Sequence, residues 1–481
     1  MQLATRPDGH LAKRLRVAPA IPLLALVLTA CSPGGDAAPP NVLLVVLDTT
    51  RADVLSSYGN AKPTTPHVDR LAAEGTRFTR VFSTAFWTLP AHASLLTGRY
   101  PSGVGATSET NRLPDGALTL AERLRESGWR TGAFVSNAWL SAERGFSQGF
   151  ETFEETWRAG SAGDFQLDKR GVTSASAWMT DRVAASEPFF VLLNLNTAHL
   201  PYSPDPLVLV ELTPEPRPLH RIAHLRRVKG MWSHLGGTER LDAADYSMLR
   251  ELYEAEVAMI DELVGELIDL LERLHILDDT LVIVTSDHGE NIGEHGMIDH
   301  LLSMYDTTLH VPLVIRHPAA FEAGRIDDGI ASLIDVVPTV LDVVGLAPLY
   351  ADGPGRSLVG KDRGPHDFVI AENDRPVNGI ELMHSLFPEF DTTPLERRVR
   401  TLRTERYKLI WYSDGEVVLF DLENDPGEER NLASERPALR EELLAELSTW
   451  MDAHPSDEES VPLKGRDPES TEQLRALGYI E

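Results

Sequence analysis

From Asn41 to Leu47 the chain reads Asn-Val-Leu-Leu-Val-Val-Leu, and the next residue is Asp48. A strand with one wet face alternates apolar and polar side chains. A run without alternation must be covered on both faces, as in parallel sheets flanked by helices. Similar runs recur at residues 188–195, 280–285 and 311–315, with a strand-like stretch at 131–135. Helical spacing of apolar residues marks 66–74, 117–127, 242–275 and 334–344 between and after them. The expected fold is α/β, a large, mixed, mostly parallel sheet sandwiched by helices. In such sheets ligands bind beyond the carboxyl ends of the strands, which places candidate ligand residues just after each apolar run.

Past Gly345 the texture loosens at Pro348, Gly353, Pro354, Gly355 and Gly360. Short strands are then expected at 367–371, 397–401, 406–412 and 417–422, with Ser413-Asp414-Gly415 as a hairpin turn and a helix at 435–451. This is a small C-terminal antiparallel sheet plus helix, so the expected division is 41–350 for the α/β domain and 351–481 for the C-terminal subdomain. At the other end Arg6, Lys13, Arg14 and Arg16 precede an apolar stretch, 17–27, that is too short to span a bilayer. Residues 1–30 therefore read as an export signal and 31–40 as a tether of small residues. Leu28-Thr-Ala-Cys31 resembles a bacterial lipobox, which implies acylation at Cys31 and a membrane-anchored lipoprotein of the cell envelope, periplasmic or outer-membrane. An unlipidated signal and an N-terminal membrane anchor are the alternatives. Cys31 is the single cysteine, so no internal disulfide can form.

The formal net charge is −28, and it becomes more negative once the signal is removed. Such a surface disfavours nucleic acid and anionic membranes, and an anionic ester must be drawn in by local positive charge such as a bound metal.

Two of the strand ends carry candidate ligands. Asp48 follows the first run, and Asp287-His288-Gly289-Glu290 follows the run at 280–285. Adjacent donors at a strand end converge on one ion when a turn breaks the alternation of side chains, and Gly289 permits that turn. A mixed oxygen and nitrogen set favours zinc or manganese, with calcium and magnesium as alternatives. Taken alone, Asp-His-Gly is also a plain turn. Thr88 lies just ahead of Pro90 and a helix expected over 91–96; with proline at the first helical position, free backbone N–H groups face an anion beside the threonine hydroxyl. A helix cap is the bland alternative for Thr88.

The stretch from Ser83 to Arg99, Ser-Thr-Ala-Phe-Trp-Thr-Leu-Pro-Ala-His-Ala-Ser-Leu-Leu-Thr-Gly-Arg, resembles the nucleophile segment of the sulfatases. The stretch from Val46 to Gly59 is similar to their opening motif. With Asn194 to Tyr202, Gly293 to Asp306 and the tail 419–432, the resemblance to the sulfatase family of the alkaline phosphatase superfamily extends from about residue 41 to 432. It implies an ester hydrolase with one divalent metal held by Asp48, Thr88, Asp287 and His288. Thr88 stands where the family carries the cysteine or serine oxidised to formylglycine. Threonine cannot give that aldehyde, so no formylglycine is expected and Thr88 is the implied nucleophile. Thr49 replaces a second metal-binding aspartate, and His288 replaces an asparagine.

His92 occupies the place of an arginine, and is read either as a substrate contact or as a partly exposed helix residue. His199 matches a histidine that contacts the transferred group, with a loop histidine held by backbone bonds as the alternative. His300 stands near a substrate-binding lysine; a second metal held by His199 and His300 is the alternative there. The implied substrate is a small-molecule or glycan ester of sulfate, phosphate or phosphonate. A phosphoryl-group transferase and a catalytically inactive glycan-binding homologue are the rival readings. Residues 154–187 and 203–240 resemble insertions over the mouth of an active site.

Overall fold

The unbroken apolar runs form the centre of a 9-stranded sheet. The computed structural model describes residues 38–160, 164–214, 217–360, 364–454 and 475–476; the expected export signal, Cys31 and most of the tether lie outside these. Described strands in the first half are β1 (Asn41–Leu47), β2 (Thr76–Phe82), β3 (Arg130–Val135), β4 (Thr152–Glu155), β5 (Phe189–Leu195) and β6 (Thr280–Thr285). A short hairpin, β7 (Asn291–Ile292) with β8 (Ile298–Asp299), precedes β9 (His310–Arg316), β10 (Arg325–Asp327) and β11 (Ala331–Ser332). The large sheet has the order β10-β2-β9-β6-β1-β5-β3-β4, with β11 also on β2. Only β9 runs against its neighbours β2 and β6, so the sheet is mixed and mostly parallel.

Register decides what meets at the carboxyl edge. Leu47 pairs with Leu195, Val46 with Thr285, and Val135 with Asn194. Asp48, Asn137, Asn196 and Asp287 therefore emerge side by side although they are far apart in sequence. All side chains of β1 from Val42 to Leu47 are buried, as expected for a strand covered on both faces.

The helix Ala243–Arg273 matches the expected 242–275, and it is opened by a reciprocal capping box between Asp242 and Asp245. Its Tyr253 hydroxyl donates to the Thr49 carbonyl at 2.7 Å and accepts from the Arg51 N–H at 2.9 Å, tying the loop after β1 to the helix. Two expectations need correction. The helix at the nucleophile segment starts at Thr88 and runs to Thr97, because extended Trp87 is its N-cap; Pro90 is the third helical residue, not the first. Residues 154–187 are no insertion over the mouth: Phe165–Ala184 is a helix that packs on β3 and β5. Within 203–240 lie the short helices Pro206–Leu212, Leu219–Leu225 and Val228–Trp232. β2, with Arg77 and Arg80 inside it, carries too weak an apolar pattern to be read from sequence.

The second sheet is antiparallel, in the order β12 (Val369–Asn373), β13 (Val399–Arg403), β14 (Tyr407–Tyr412) and β15 (Val417–Asp421). Leu443, Leu447 and Trp450 of the helix Pro437–Ala453 pack against its Leu402, Leu409 and Leu419. Lys408 on β14 is wholly buried, with its ammonium 2.8 Å from Asp306, just ahead of β9, and 2.7 Å from Glu428. Arg403 lies over the Phe82 ring at 3.8 Å. Both bases thus hold the small sheet to the large one. Removing one partner of a buried ion cluster leaves the others uncompensated, so Lys408→Ala is expected to lower unfolding free energy by about 3–5 kcal/mol, measured by urea denaturation.

Candidate active site

At the end of β1 the Asp48 carboxylate is fully buried. Its Oδ2 accepts from Asn194 at 2.8 Å and Asn137 at 2.9 Å, while its Oδ1 has no hydrogen-bond donor. Burial and then the charge of Asp287 push its pKa well above the ordinary carboxylate value. Thr49, which replaces a second aspartate of the family pattern, has φ 57°. A β-branched residue in that region is strained. Its hydroxyl donates to a backbone carbonyl, that of Ala198 lying 2.9 Å away, and its N–H donates to Asp287 Oδ1 at 3.2 Å. Position 49 therefore serves the site through its backbone.

Asp287 and His288 follow β6. Asp287 Oδ1 also accepts the His288 N–H at 2.9 Å, whereas its Oδ2 accepts no well-formed hydrogen bond and faces His92 Nδ1 and His288 Nε2, each 3.3 Å away. The Gly289 carbonyl lies 3.0 Å from His288 Nδ1. A carbonyl only accepts, so the neutral ring carries its proton on Nδ1 and leaves the Nε2 lone pair bare. Gly289 is needed here for close approach: a Cβ would lie 2.2 Å from the Thr307 carbonyl oxygen.

These bare atoms could hold a cation. Asp48, Asp287 and His288 each offer a ligand atom within 4.8 Å of the others, and all are buried. Two buried carboxylates repelling each other, with no lysine or arginine paired to either among the described residues, call for a cation. Two oxygen donors and one imidazole suit a divalent ion. Thr88 Oγ1 stands 3.4 Å from His288 Nε2, next to this cluster.

Thr88 is the first residue of its helix and is 1% exposed. The Asn137 amide donates to Thr88 Oγ1 at 3.1 Å, and its own oxygen accepts the Trp139 N–H at 2.9 Å, which fixes the orientation of the amide. His92, one turn on, is fully buried, with Nδ1 3.0 Å from the Thr88 carbonyl and Nε2 3.5 Å from Asn194 Nδ2. It braces Thr88, Asp287 and Asn194 from within the protein and is not a partly exposed helix residue. Asn137 and Asn194 were not singled out from sequence. Both lie at the carboxyl ends of parallel strands, the position that gave away Asp48, yet asparagine is common in loops and carries no pattern of its own. Asp168 was missed too: from the helix Phe165–Ala184 it accepts the N–H groups of Asn196 and Thr197 at 2.9 and 2.7 Å, holding the loop that presents His199.

His199 and His300 approach from the other side. The His300 ring is centred 4.4 Å from that of His288 and 5.2 Å from that of His199. The Leu200 carbonyl lies 2.8 Å from His199 Nδ1, which places the proton there. Burial, followed by the neighbouring His300, lowers the His199 pKa to about 3. Unliganded His199 is thus neutral near pH 7. Thr88 and His300 line a narrow cleft with Phe86, Trp87, Trp139 and Leu301. Trp87 both walls this cleft and is anchored in the core, donating to Asn373 at 3.0 Å.

A central parallel sheet with this constellation at its carboxyl edge defines a hydrolase of the alkaline phosphatase superfamily. The sulfatase family model matches residues 40–346, and a model for the C-terminal part of N-sulphoglucosamine sulphohydrolase matches 293–454. The chain belongs to the sulfatase family. It is 23% identical to N-acetylglucosamine-6-O-sulfatase of Bacteroides thetaiotaomicron over 92% of this chain and 93% of that protein. It is 26% identical to the multifunctional alkaline phosphatase superfamily protein PehA of Trinickia caryophylli, over 86% of this chain and 95% of that one. Among solved structures, phosphonate monoester hydrolase of Agrobacterium radiobacter superposes with a TM-score of 0.70 at 25% identity, over 86% of this chain and 96% of that chain.

Gly289→Ala would force the Asp287–His288 loop off Thr307, so stability should fall by about 1–3 kcal/mol and metal content should fall with it, read by denaturation and elemental analysis. The histidines give the fold a pH dependence as well. Burial, the largest influence on His288, lowers its pKa to about 3, as it does for His199. The unfolded chain takes up these protons below about pH 6.5 while the folded protein resists until about pH 3. Their contribution is therefore complete above pH 6.5 and lost as pH falls, at about 1.4 kcal/mol per pH unit per histidine. Buried carboxylates whose pKa values are raised, such as Asp261 and Glu428 at about 7, act with the opposite sign, so the slope should appear as the stability difference between metal-stripped wild type and His199→Asn in urea titrations from pH 7.5 to 5.

Proposed function

We propose that this chain is a metal-dependent hydrolase of anionic sulfate, phosphate or phosphonate esters that uses Thr88 as its nucleophile, with phosphoryl esters favoured. The observation that carries the reading is the convergence of bare Asp48, Asp287 and His288 atoms beside the Thr88 hydroxyl. A divalent ion held by those residues would lower the pKa of the Thr88 hydroxyl and attract the ester oxygens. Threonine and imidazole at positions 88 and 288, in place of an oxidisable residue and an amide, are what favour phosphoryl esters.

The remaining steps fall to the protein's own groups. Asn137 donates to Thr88 Oγ1 and stabilises it as negative charge develops there. Thr88 Oγ1 attacks the sulfur or phosphorus in line, the bond to the leaving oxygen breaks, and the group is carried as a Thr88 ester. The proton given up by the Thr88 hydroxyl passes to solvent, and the leaving oxygen takes one from solvent. Water then attacks the Thr88 ester, the bond to Thr88 Oγ1 breaks, and one proton of the water ends on that oxygen to return the threonine, with neutral His199 held beside the site next to His300. His92, which touches Thr88, Asp287 and Asn194 but not the cleft, is a positioning residue. The export motif ending at Cys31 supports placement in the bacterial envelope through a lipid anchor.

Turnover of aryl sulfate, phosphate monoester, phosphodiester and phosphonate by the metal-loaded protein tests the reading. Thr88→Ala should lower kcat/KM by about 10³-fold or more on every substrate that is turned over. Asn137→Ala should cost about 10²–10³-fold, mostly in kcat. Chelation should abolish activity, and manganese or zinc should restore it better than calcium. Equal rates for wild type and Thr88→Ala would remove Thr88 from the chemistry.

A further inference from the structure

Behind His288 lies a second group of titratable side chains that the proposed reaction does not use. Glu290, Asp299 and His300 each offer a ligand atom within 4.8 Å of the others, and all are buried. The β7–β8 hairpin puts them together: Asn291 pairs with Asp299, so Glu290 at one strand's start meets Asp299 and His300 at the other's end. His300 Nδ1 is 3.2 Å from Asp299 Oδ1 and 3.5 Å from Glu290 Oε1.

What marks this group as unfinished is its bonding. Glu290 is 0% exposed and His300 2%, yet both Glu290 oxygens and His300 Nδ1 lack a well-formed hydrogen bond, although Tyr202 stands beside Glu290. Buried polar atoms normally have partners, and here the unsatisfied ones face each other. The neighbouring base does not fill the need. Arg51 donates to Asp53, to Glu294 and to the backbone carbonyl of Glu290, so its fork is already matched elsewhere. Around the group the supports resemble an outer shell: Trp232 donates to Asp299 Oδ2 at 2.9 Å, and Asn291 donates to the Asp299 carbonyl while sharing a 3.0 Å bond with Ser303.

We propose that Glu290, Asp299 and Nδ1 of His300 bind a second divalent cation, distinct from the one at Asp48, Asp287 and His288. Two carboxylates and an imidazole suit manganese or zinc over calcium. Proton counting then ties this cation to the neighbouring site. A neutral imidazole carries one proton; with its Nδ1 lone pair given to a cation, that proton must sit on Nε2. His300 is thereby fixed as an N–H donor, beside the cleft that it lines with Thr88. The second cation sets the tautomer and orientation of His300 and leaves the nucleophile untouched.

The site is tested by metal stoichiometry, which does not depend on turnover. Metal-stripped wild-type protein is titrated calorimetrically with zinc and then with manganese, and metal content is measured by elemental analysis after gel filtration. Two equivalents per chain are expected for wild type. One is expected for Glu290→Gln and for Asp299→Asn, and one for Asp48→Asn, with the double variant Asp48→Asn/Glu290→Gln retaining none. Circular dichroism identifies any variant that fails to fold, and the wild-type titration stands without the variants. A single wild-type equivalent that folded Glu290→Gln retains would overturn the proposal, as would two equivalents retained by that variant. Loss of the Asp48 equivalent alone bears on the proposed catalytic site and leaves this one standing, so the two failures are distinguishable.

Discussion

Two carboxylates buried against each other, Asp48 and Asp287, are the constraint around which the rest of this molecule is arranged. Like charges removed from water repel strongly, and desolvation penalises each of them separately. The protein answers with neutral donors, not with lysine or arginine. The amides of Asn137 and Asn194 take one oxygen of Asp48, and backbone N–H groups take one oxygen of Asp287. Each carboxylate keeps its other oxygen in reserve. This division of labour turns a repulsive pair into a seat for a cation, and puts the Thr88 hydroxyl beside it.

Holding that arrangement falls to the sheet and to two neighbouring helices packed against each other. Parallel register brings the ends of β1, β3, β5 and β6 to one edge, so ligands from distant segments need only short loops to meet. The loops themselves are clamped from behind, the one after β1 by Tyr253 and the one after β5 by Asp168. Both clamps are single buried side chains on covering helices. A site fixed in this way is built before any ligand arrives, which is the condition for electrostatic catalysis without reorganisation at the moment of reaction.

Much of this was legible in the sequence because period and position carry physical information. β1, β5, β6 and β9 announced themselves as runs without alternation, and Asp48, Asp287 and His288 stood at the ends of such runs. Thr88 was visible through its segment, though the start of its helix was not: Pro90 suggested a first position, whereas extended Trp87 opens the helix two residues earlier. β2 was hidden by its arginines, and the helix Phe165–Ala184 by its many polar residues. Asn137, Asn194 and Asp168 were beyond reach for another reason. Their roles depend on strand register and on a helix packed across the sheet, and neither is written in local sequence.

Thr49 also sets the charge of the pocket. Its side chain adds none, where the family pattern would add a third carboxylate. With Asp48 and Asp287 alone, a divalent ion held there would bring the pocket to electroneutrality, and His300, where the resemblance implies a lysine, would withdraw a compensating positive charge at the same time. The two substitutions offset each other. An arriving anion therefore meets a balanced pocket whose attraction resides in dipoles and in the ion's exposed face, so its capture should depend on close-range fit more than on long-range pull.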